Sequence, residues 1–550
     1  MSEVDVGAVV RRLRALHEVH RHRDLVATCR RALTGAPDDA QLWTWLAYGL
    51  RKLGDQPAAL DAAERACGLG GDAWAHVIRS QCLGTLHRRA ESYEAARRAV
   101  ELGPDDPFAL LRLARASRQA GHVDDAWTAA ERARALQPDD PDVWETLGWL
   151  AGEAGDWTRA EASHRRAVEL APADPFYLEA LAAALAQLER FDEAAELYRR
   201  SLAADPRRPS VHRRLAWNLF DAGRVDEAVA AVERGVTAFP RDVGLREALS
   251  DLLVEAGRLD EALAAAEAMA AALPDEPRSW TLVAWRATAL DRHDDAVAAA
   301  ERALALAPTS ADALETHATT LRWAGRGAEA AAAARRGVEV DPGRLRSWIE
   351  LAICARAAGH DDEAVAASRR AIELAPGSVE GWGQLLICAV VTGDHALAVA
   401  TSDELRRRLP DARDTWENVA WAALHRGDRA AIAVARERLV ALGGGARGAR
   451  IVHELDGYLH FLDGRWDAAA AAIEASIAAG SRGCTTPCLL GLIRLRQGDR
   501  SLAARVLARE RIGPRRARHC GDRRCPDIRM LAEAVTEPGS GGQSVGPAGH

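Results

Sequence analysis

Apolar residues recur along this chain in the spacing of short amphipathic helices, and the spacing itself repeats. Within residues 141–174, Trp144, Leu147 and Ala151 fall on one stripe, because residues three or four apart share one face of a helix. Gly155 breaks this helix, and a second stripe follows, made by Ala160, Ala167, Val168 and Leu170. The pattern predicts two helices of about three turns each, joined by a glycine turn.

The helix pair recurs with a fixed period. Acidic residues followed by proline, typical of a helix N-cap and first helical residue, open pairs at 106–107, 140–141, 174–175 and 276–277. The prolines that close the pairs stand 34 residues apart, at Pro104, Pro138, Pro172, Pro206, Pro240, Pro274, Pro308, Pro342, Pro376 and Pro410. Helices this short are unstable alone, so each pair must bury its apolar stripes on its neighbours. The sequence therefore predicts an all-α solenoid.

Glycines mark the predicted turn inside ten pairs, at Gly121, Gly155, Gly223, Gly257, Gly325, Gly359, Gly393, Gly427, Gly464 and Gly498. The unit resembles the tetratricopeptide repeat family, whose signature couples an opening Trp, a Leu-Gly pair, an Ala in the second helix and a closing Pro. One unit matches it through Trp144, Leu147, Gly148, Ala160 and Pro172. The resemblance covers about residues 40–510. It implies a right-handed superhelical solenoid of about fourteen helix-turn-helix repeats.

The regularity of the repeat divides the chain into five segments. An N-terminal cap or degenerate repeat occupies residues 1–39, and the regular 34-residue array occupies residues 40–442. After a Gly-rich joint, looser repeats occupy residues 443–512. An end segment containing arginine and cysteine spans residues 513–535, and we predict a disordered tail over residues 536–550.

Composition and charge narrow the function classes. The chain carries a net charge of −8, so it lacks the overall basic footprint of a nucleic-acid-binding protein. No apolar stretch is long enough to span a membrane, and the first residues do not form a signal peptide, so we expect a cytoplasmic protein. Lys52 is the only lysine beside 71 arginines (72 basic residues minus one), a bias typical of a GC-rich bacterial genome.

Aromatic residues recur on first helices, five positions after the opening residue of the unit, at Tyr48, Trp149, Trp217, Trp285, Trp421 and Tyr458. Residues five apart point about 140° away from each other on a helix, so these rings do not fully share the packing stripe. The resemblance implies that their face lines a concave groove. Anchoring of an extended peptide or a partner helix is one interpretation, and packing between adjacent first helices is the other.

Charged residues share the predicted face of the first helices. Arg112, Arg115 and Arg213 are candidate partner-binding residues, and Glu145 and Glu179 lie at related positions. This mixed lining suits a protein partner of complementary charge, and a merely solvated face is the alternative. Some members of the family hold a peptide's terminal carboxylate with Lys and Asn from consecutive units. A chain with one lysine and two asparagines disfavours that mode.

Two closely spaced pairs of cysteines lie near the end of the chain: Cys484 with Cys488, and Cys520 with Cys525. Three states are open for them: a structural zinc site, a disulfide, or free thiols. Neither spacing is the two-residue separation common in zinc knuckles. We therefore predict no metal and no cofactor.

Together these features predict a non-catalytic scaffold or adaptor that binds a protein or peptide partner in its groove. The sequence contains no Gly-rich phosphate loop, nucleophile elbow or metalloprotease helix. Two alternatives stay open. One is an enzyme or maturation factor that holds its substrate in the groove, and the other is a sensor whose superhelix tightens on a ligand. Neither the partner nor the oligomeric state follows from the sequence.

Overall fold

A computed structural model describes residues 5–479 and 485–499. All regular secondary structure in these residues is α-helical, and the helices follow one another as pairs, so the predicted all-α repeat solenoid is confirmed. The chain divides into two compact units, Met1–Leu252 and Leu253–His550, which are described separately below. The predicted end segment and tail lie outside the described residues.

The helices are numbered in chain order, so that odd numbers are first helices and even numbers are second helices. Unit 1 contains α1 Val6–Glu18, α2 His22–Leu33, α3 Ala40–Lys52, α4 Gln56–Gly68, α5 Ala73–Thr85, α6 Arg89–Leu102, α7 Pro107–Ala120, α8 Val123–Leu136, α9 Pro141–Glu153, α10 Trp157–Leu170, α11 Pro175–Gln187, α12 Phe191–Ala204, α13 Pro209–Asp221 and α14 Val225–Ala238. Helix α15, Val243–Glu255, contains the boundary between the units.

Unit 2 continues with α16 Leu259–Ala272, α17 Pro277–Ala289, α18 His293–Leu306, α19 Ala311–Trp323, α20 Gly327–Val340, α21 Leu345–Ala357, α22 Asp361–Leu374, α23 Val379–Val391, α24 His395–Arg408, α25 Arg413–Arg426, α26 Arg429–Ala441, α27 Gly445–Leu462, α28 Trp466–Ala478 and α29 Thr485–Arg496. The described residues thus form fourteen pairs, from α1–α2 to α27–α28, followed by α29. This agrees with the number of repeats predicted from the sequence.

Capping residues fix where many first helices begin. The Asp140 carboxylate accepts a hydrogen bond from the backbone amide of Asp142, and Pro141 is the first helical residue of α9. Asp106, Asp174 and Glu276 cap α7, α11 and α17 in the same way, each followed by proline. The side-chain oxygen satisfies an amide that has no partner within the helix, and proline has no amide to satisfy. The predicted helix starts are confirmed.

The turn inside each pair holds one residue in the left-handed conformation. All ten glycines predicted at this turn have positive φ, for example 77° at Gly155. At positions of the turn where the sequence has no glycine, other residues adopt the same conformation, namely His20, His87, Glu189 and Asp291, with φ between 55° and 59°. Left-handed backbone costs such residues about 1 kcal/mol. The repeat geometry therefore dictates the turn even where the residue type opposes it.

Within each unit, helix pairs bury their apolar stripes on neighbouring pairs. In unit 1, a core cluster joins Leu181 of α11 to Tyr198 of α12 and Leu215 of α13. In unit 2, another joins Leu321 of α19 to Leu351 of α21. Many of the other buried positions in both clusters are alanines, which allow the helix backbones to approach closely. The core is therefore distributed along the array, as in other repeat proteins.

The opening tryptophans close the connection between consecutive pairs. In six repeats the indole N–H donates to the carbonyl oxygen of the proline six residues earlier, over 2.6–3.0 Å. The donor and acceptor residues are Trp43 and Pro37, Trp144 and Pro138, Trp280 and Pro274, Trp348 and Pro342, Trp382 and Pro376, and Trp416 and Pro410. The closing proline and the next tryptophan thus together fix the loop between one helix pair and the next.

A first testable prediction concerns the glycine of the Leu-Gly pair in α9. A Cβ atom on Gly148 would lie 2.4 Å from the buried ring of His164, so we expect Gly148→Ala to destabilise unit 1 by about 1–3 kcal/mol. Gly68→Ala is the matched control, since no atom lies within 4 Å of its Cβ position. Hydrogen exchange of the α9 and α10 amides measures the loss. Equal effects of the two substitutions would contradict the expectation.

Candidate functional site: the first-helix face

Successive first helices of unit 1 contact each other through polar side chains about one period apart. Arg115 of α7 donates to Oε2 of Glu145 at 2.9 Å and to Oδ1 of Asp142 at 3.2 Å, both on α9. Tyr177 of α11 donates to the same Asp142 oxygen over 3.1 Å. We call the surface along which the first helices of one unit meet in this way the first-helix face.

Unit 2 repeats this arrangement on its own first-helix face. Glu315 of α19 pairs with the Arg344 guanidinium at 2.9 Å and accepts a hydrogen bond from the Ser347 hydroxyl at 2.7 Å. Glu350 of α21 accepts a hydrogen bond from the Thr319 hydroxyl of α19 at 2.8 Å. The acids that the sequence places on this face are therefore partners of the neighbouring repeat.

Burial dominates the electrostatics of the acids in unit 1. It raises the pKa of Glu145 above its ordinary value, although the Arg115 charge acts in the opposite direction. It also raises the pKa of Glu179, which pairs with Arg208 at 2.9 Å. A buried carboxylate with one cationic partner is sensitive to the loss of that partner. These ion pairs are thus part of the packing between repeats.

The three predicted arginines have different surroundings. Arg115 is engaged by Asp142 and Glu145, as described above. Arg112, on the same helix, donates only to Ser80 and Ser92. Arg213 of α13 is exposed and forms no ion pair with any residue that the structure describes. Their roles in partner binding stay predictions.

The predicted aromatic residues of unit 1 differ in exposure. Trp149 of α9 has 39% of its surface exposed, and it is the only exposed one among the sixteen tryptophans of the chain, all of which the structure describes. Its indole stands edge-on to the His164 ring, with the centroids 6.0 Å apart. Trp217 of α13 is half-buried against Phe220, and Tyr48 of α3 is half-buried as well. Trp149 is thus the most accessible of the predicted anchors.

The predicted aromatic residues of unit 2 are all half-buried. Trp285 lies on α17. Trp421 of α25 packs against a core cluster that includes Leu386, and Tyr458 of α27 packs against one that includes Ile473. These two rings contribute to the core and also retain accessible surface.

The aromatic cluster around Tyr48 could not be predicted as a whole from the sequence. The Trp45 and Trp74 rings lie 5.9 and 6.0 Å from the Tyr48 ring and 4.8 Å from each other. The Tyr48 hydroxyl forms a 3.0 Å hydrogen bond with Nδ1 of His17. The three-residue spacing of Trp45 and Tyr48 indicated one contact. The contacts with Trp74 and His17 depend on packing between repeats and had no local signal.

Potential metal ligands are scattered over the described part of the chain. Within residues 5–479 and 485–499, no three His, Cys, Asp or Glu side chains come together as a metal site would require. The helices in the same residues lack the length and apolar character needed to cross a membrane. The side chains of Cys484, Cys488, Cys520 and Cys525 lie outside the described part of the chain.

Family models described as tetratricopeptide repeat match this chain in both units. One matches residues 185–243 and 219–285, a second matches residues 107–150, and a third matches residues 145–209 and 316–379. The matched segments lie within the helical array, between α7 and the first residue of α23. No curated protein sequence matches the chain.

Solved structures similar to this chain include the following three. TTC0263, a thermophilic TPR protein of Thermus thermophilus, is 24% identical with a TM-score of 0.31, over 33% of this chain and 99% of that chain. The Cut9–Hcn1 hetero-tetramer of the APC/C is 13% identical with a TM-score of 0.35, over 84% and 96%. Yeast Tom70 is 16% identical with a TM-score of 0.39, over 78% and 95%.

Proposed function

This chain belongs to the tetratricopeptide repeat proteins, and from that premise we propose that it is a non-catalytic scaffold that binds a peptide or protein partner along its first-helix face. Repeats of this family serve in general as scaffolds for protein–protein interaction. The stacked helices hold their side chains in fixed register, so the partner bears most of the ordering cost on binding.

The exposure of Trp149 is the observation that carries this proposal. Around it, Arg115 donates to both Asp142 and Glu145, while the indole keeps 39% of its surface exposed. Exposed tryptophans in a rigid setting are the residues most enriched at binding hot spots. Trp217 occupies the same position of unit 1 two repeats later, and we propose it as a further anchor; Trp285, four repeats later, is the proposed anchor on the first-helix face of unit 2.

Capture from the native cell, followed by measurement with the purified partner, tests this function. We expect Trp149→Ala to weaken binding by at least about 30-fold, which corresponds to a hot spot of about 2 kcal/mol. The triple variant with Trp217→Ala and Trp285→Ala as well should abolish capture. Because Trp149 is exposed, its single variant should fold normally.

Trp127→Ala is the matched control, since Trp127 is a half-buried tryptophan on the second helix α8. It removes the same side chain from a surface outside the first-helix face. A partner that binds the Trp149 and triple variants as tightly as wild type would overturn the proposal. An enzymatic or maturation role would rest on the cysteine-containing end segment, and no described residue argues for it.

A further inference from the structure

Three cations in the N-terminal half of unit 1 lack acidic partners. Arg51 and Lys52 end α3, and Arg112 lies on α7. None of them forms an ion pair with a residue described by the structure, and no carboxylate contributes to the pKa shift of Lys52 or Arg112. Arg115, only three residues from Arg112, pairs with two acids. Arg112 and Arg115 thus differ in charge compensation although they lie on one helix.

Arg112 is held firmly by neutral groups. Its Nε donates to Oγ of Ser80 at 2.7 Å, and its Nη2 donates to the Ser80 carbonyl oxygen at 3.0 Å and to Oγ of Ser92 at 2.7 Å. Both serines are fully buried. The absence of a side chain at Gly84 provides space for this guanidinium, because a Cβ atom there would lie 2.8 Å from Nη2. The guanidinium is therefore oriented in advance, while its charge stays uncompensated.

Arg51 precedes Lys52 in the chain, and its positive charge also acts on the Arg112 guanidinium. The Arg51 guanidinium and the Lys52 ammonium each lie 5.7 Å from the centre of the Tyr48 ring. Burial is the main cause that lowers the pKa of both Lys52 and Arg112, and the Arg51 charge lowers both further; for Arg112, burial with the charges of Arg115 and Arg51 brings the pKa to about 10. Like charges that repel each other in a partly desolvated place are stabilised by a bound anion.

We propose that Arg51, Lys52 and Arg112 bind side-chain carboxylates of an acidic segment in the peptide or protein partner. This inference rests on the proposed scaffold function and adds the chemistry of the partner. The Arg51 guanidinium can meet a carboxylate in a planar, paired hydrogen bond, whereas Arg112 offers only its Nη1 hydrogens, because its Nε and Nη2 already donate to Ser80 and Ser92. Beside the cations, the half-buried rings of Tyr48 and Trp74 keep accessible surface that suits an apolar residue next to the acidic ones.

The surrounding charges favour a short acidic segment over a nucleic acid. Further along the first-helix face of unit 1, Asp142 and Glu145 share the single cation Arg115, and the remaining negative charge would repel an extended polyanion. A peptide can place its acids over the three cations and its apolar residues toward Trp149. The three cations and this excess negative charge together give the bound peptide a direction.

The single lysine makes a sharp test possible. A synthetic peptide with four glutamates followed by phenylalanine, acetylated and amidated at its ends, carries carboxylates on side chains only. A carbodiimide joins an amine to a carboxylate in contact with it, and Lys52 is the only side-chain amine of the full-length chain. We expect mass spectrometry to find the peptide on Lys52. The same peptide with glutamine in place of glutamate should bind at least about tenfold more weakly.

Variants separate the site from a general charge effect. Arg51→Gln and Lys52→Gln remove side chains that make no hydrogen bond in the described structure, so they should fold and weaken peptide binding by about tenfold each. Arg112→Gln should do the same if it folds. Arg89→Gln changes the net charge equally at an exposed position of the second helix α6, and it should leave binding unchanged.

Several results would overturn the inference. These are equal binding of the glutamate and glutamine peptides, equal losses in Arg51→Gln and Arg89→Gln, or inorganic phosphate displacing the peptide at concentrations near the peptide's own affinity. Such results leave the scaffold function intact if Trp149→Ala still weakens the natural partner. Conversely, Lys52 coupling with an unaffected Trp149→Ala variant would support the acidic site and contradict the tryptophan anchors.

Discussion

Replacing Arg115 by methionine is expected to destabilise unit 1 by about 2 kcal/mol at pH 7. The substitution leaves the Glu145 carboxylate, which is 6% exposed, without the cation that lies 2.9 Å away. Loss of one partner from a fully buried pair costs more, but the Arg115 side chain is 38% exposed, so the effect is discounted for solvent. Hydrogen exchange of the α7 and α9 amides in the full chain measures the loss.

The loss should depend on pH in a defined direction. Burial already raises the pKa of Glu145, and removal of the Arg115 charge raises it further. A carboxyl group whose pKa is higher in the folded than in the unfolded protein binds protons better when folded. The stabilisation that the protonated Glu145 gives is complete below the pKa of glutamate in the unfolded chain, about 4.3. It is lost as the pH rises through the pKa of Glu145 in the folded protein. The variant should therefore be least destabilised near pH 4.

Two further variants test whether the buried charge is the cause. Arg118→Met removes an arginine from the same helix, but its partner Glu153 is 51% exposed, so we expect a loss below about 1 kcal/mol. Adding Glu145→Leu to Arg115→Met should restore most of the stability, because no buried charge is then left unpaired. A pH-independent loss that the second substitution does not rescue would contradict this account.

Gly444→Ala is expected to destabilise the α25–α27 region by about 3 kcal/mol. Two causes add. The φ angle of Gly444 is 124°, a conformation that residues with a side chain rarely adopt, and the new Cβ atom would lie 1.9 Å from Nη1 of Arg413. That guanidinium has little freedom to withdraw, since the side chain is 21% exposed and its Nε donates to Glu417 at 2.9 Å.

The neighbouring glycine supplies the control. Gly443 has a φ of 69°, and no atom lies within 4 Å of its Cβ position, so Gly443→Ala should cost only about 1 kcal/mol. Hydrogen exchange of the α25 and α27 amides compares the two variants. Similar losses at both positions would show that the Arg413 contact does not matter. The glycine triplet thus has a conformational explanation, and the flexible joint suggested by its composition stays a prediction.

Much of the fold could be predicted because its signals are local. The Asp-Pro caps and the turn glycines act within a few residues, and the 34-residue spacing then copies them along the chain. Glu189 and Asp291 show where this reasoning falls short. They take the glycine conformation only because the packed helices on either side demand it. The sequence period predicted that both residues lie at a turn, but the residue types did not predict their left-handed backbone conformation.

The candidate site was harder to predict because accessibility depends on side chains one repeat away. Trp149 and Trp217 hold equivalent positions, yet one is exposed and the other is half-buried against Phe220. Arg112 and Arg115 are three residues apart on one helix, and their partners come from opposite neighbours, Ser80 on α5 and Glu145 on α9. Sequence periodicity identified the face, whereas the pairing needed three-dimensional structure.

The hydrogen bond between an opening indole and the preceding proline carbonyl has a consequence for how such chains are recombined. Donor and acceptor lie six residues apart, so both travel together when a segment is exchanged by cutting within the helices on either side. A cut made between them would instead separate the hydrogen-bond donor from its acceptor. Chimaeras spliced in mid-helix should therefore retain native connections, and this favours duplication or transplantation of complete modules over piecemeal insertion.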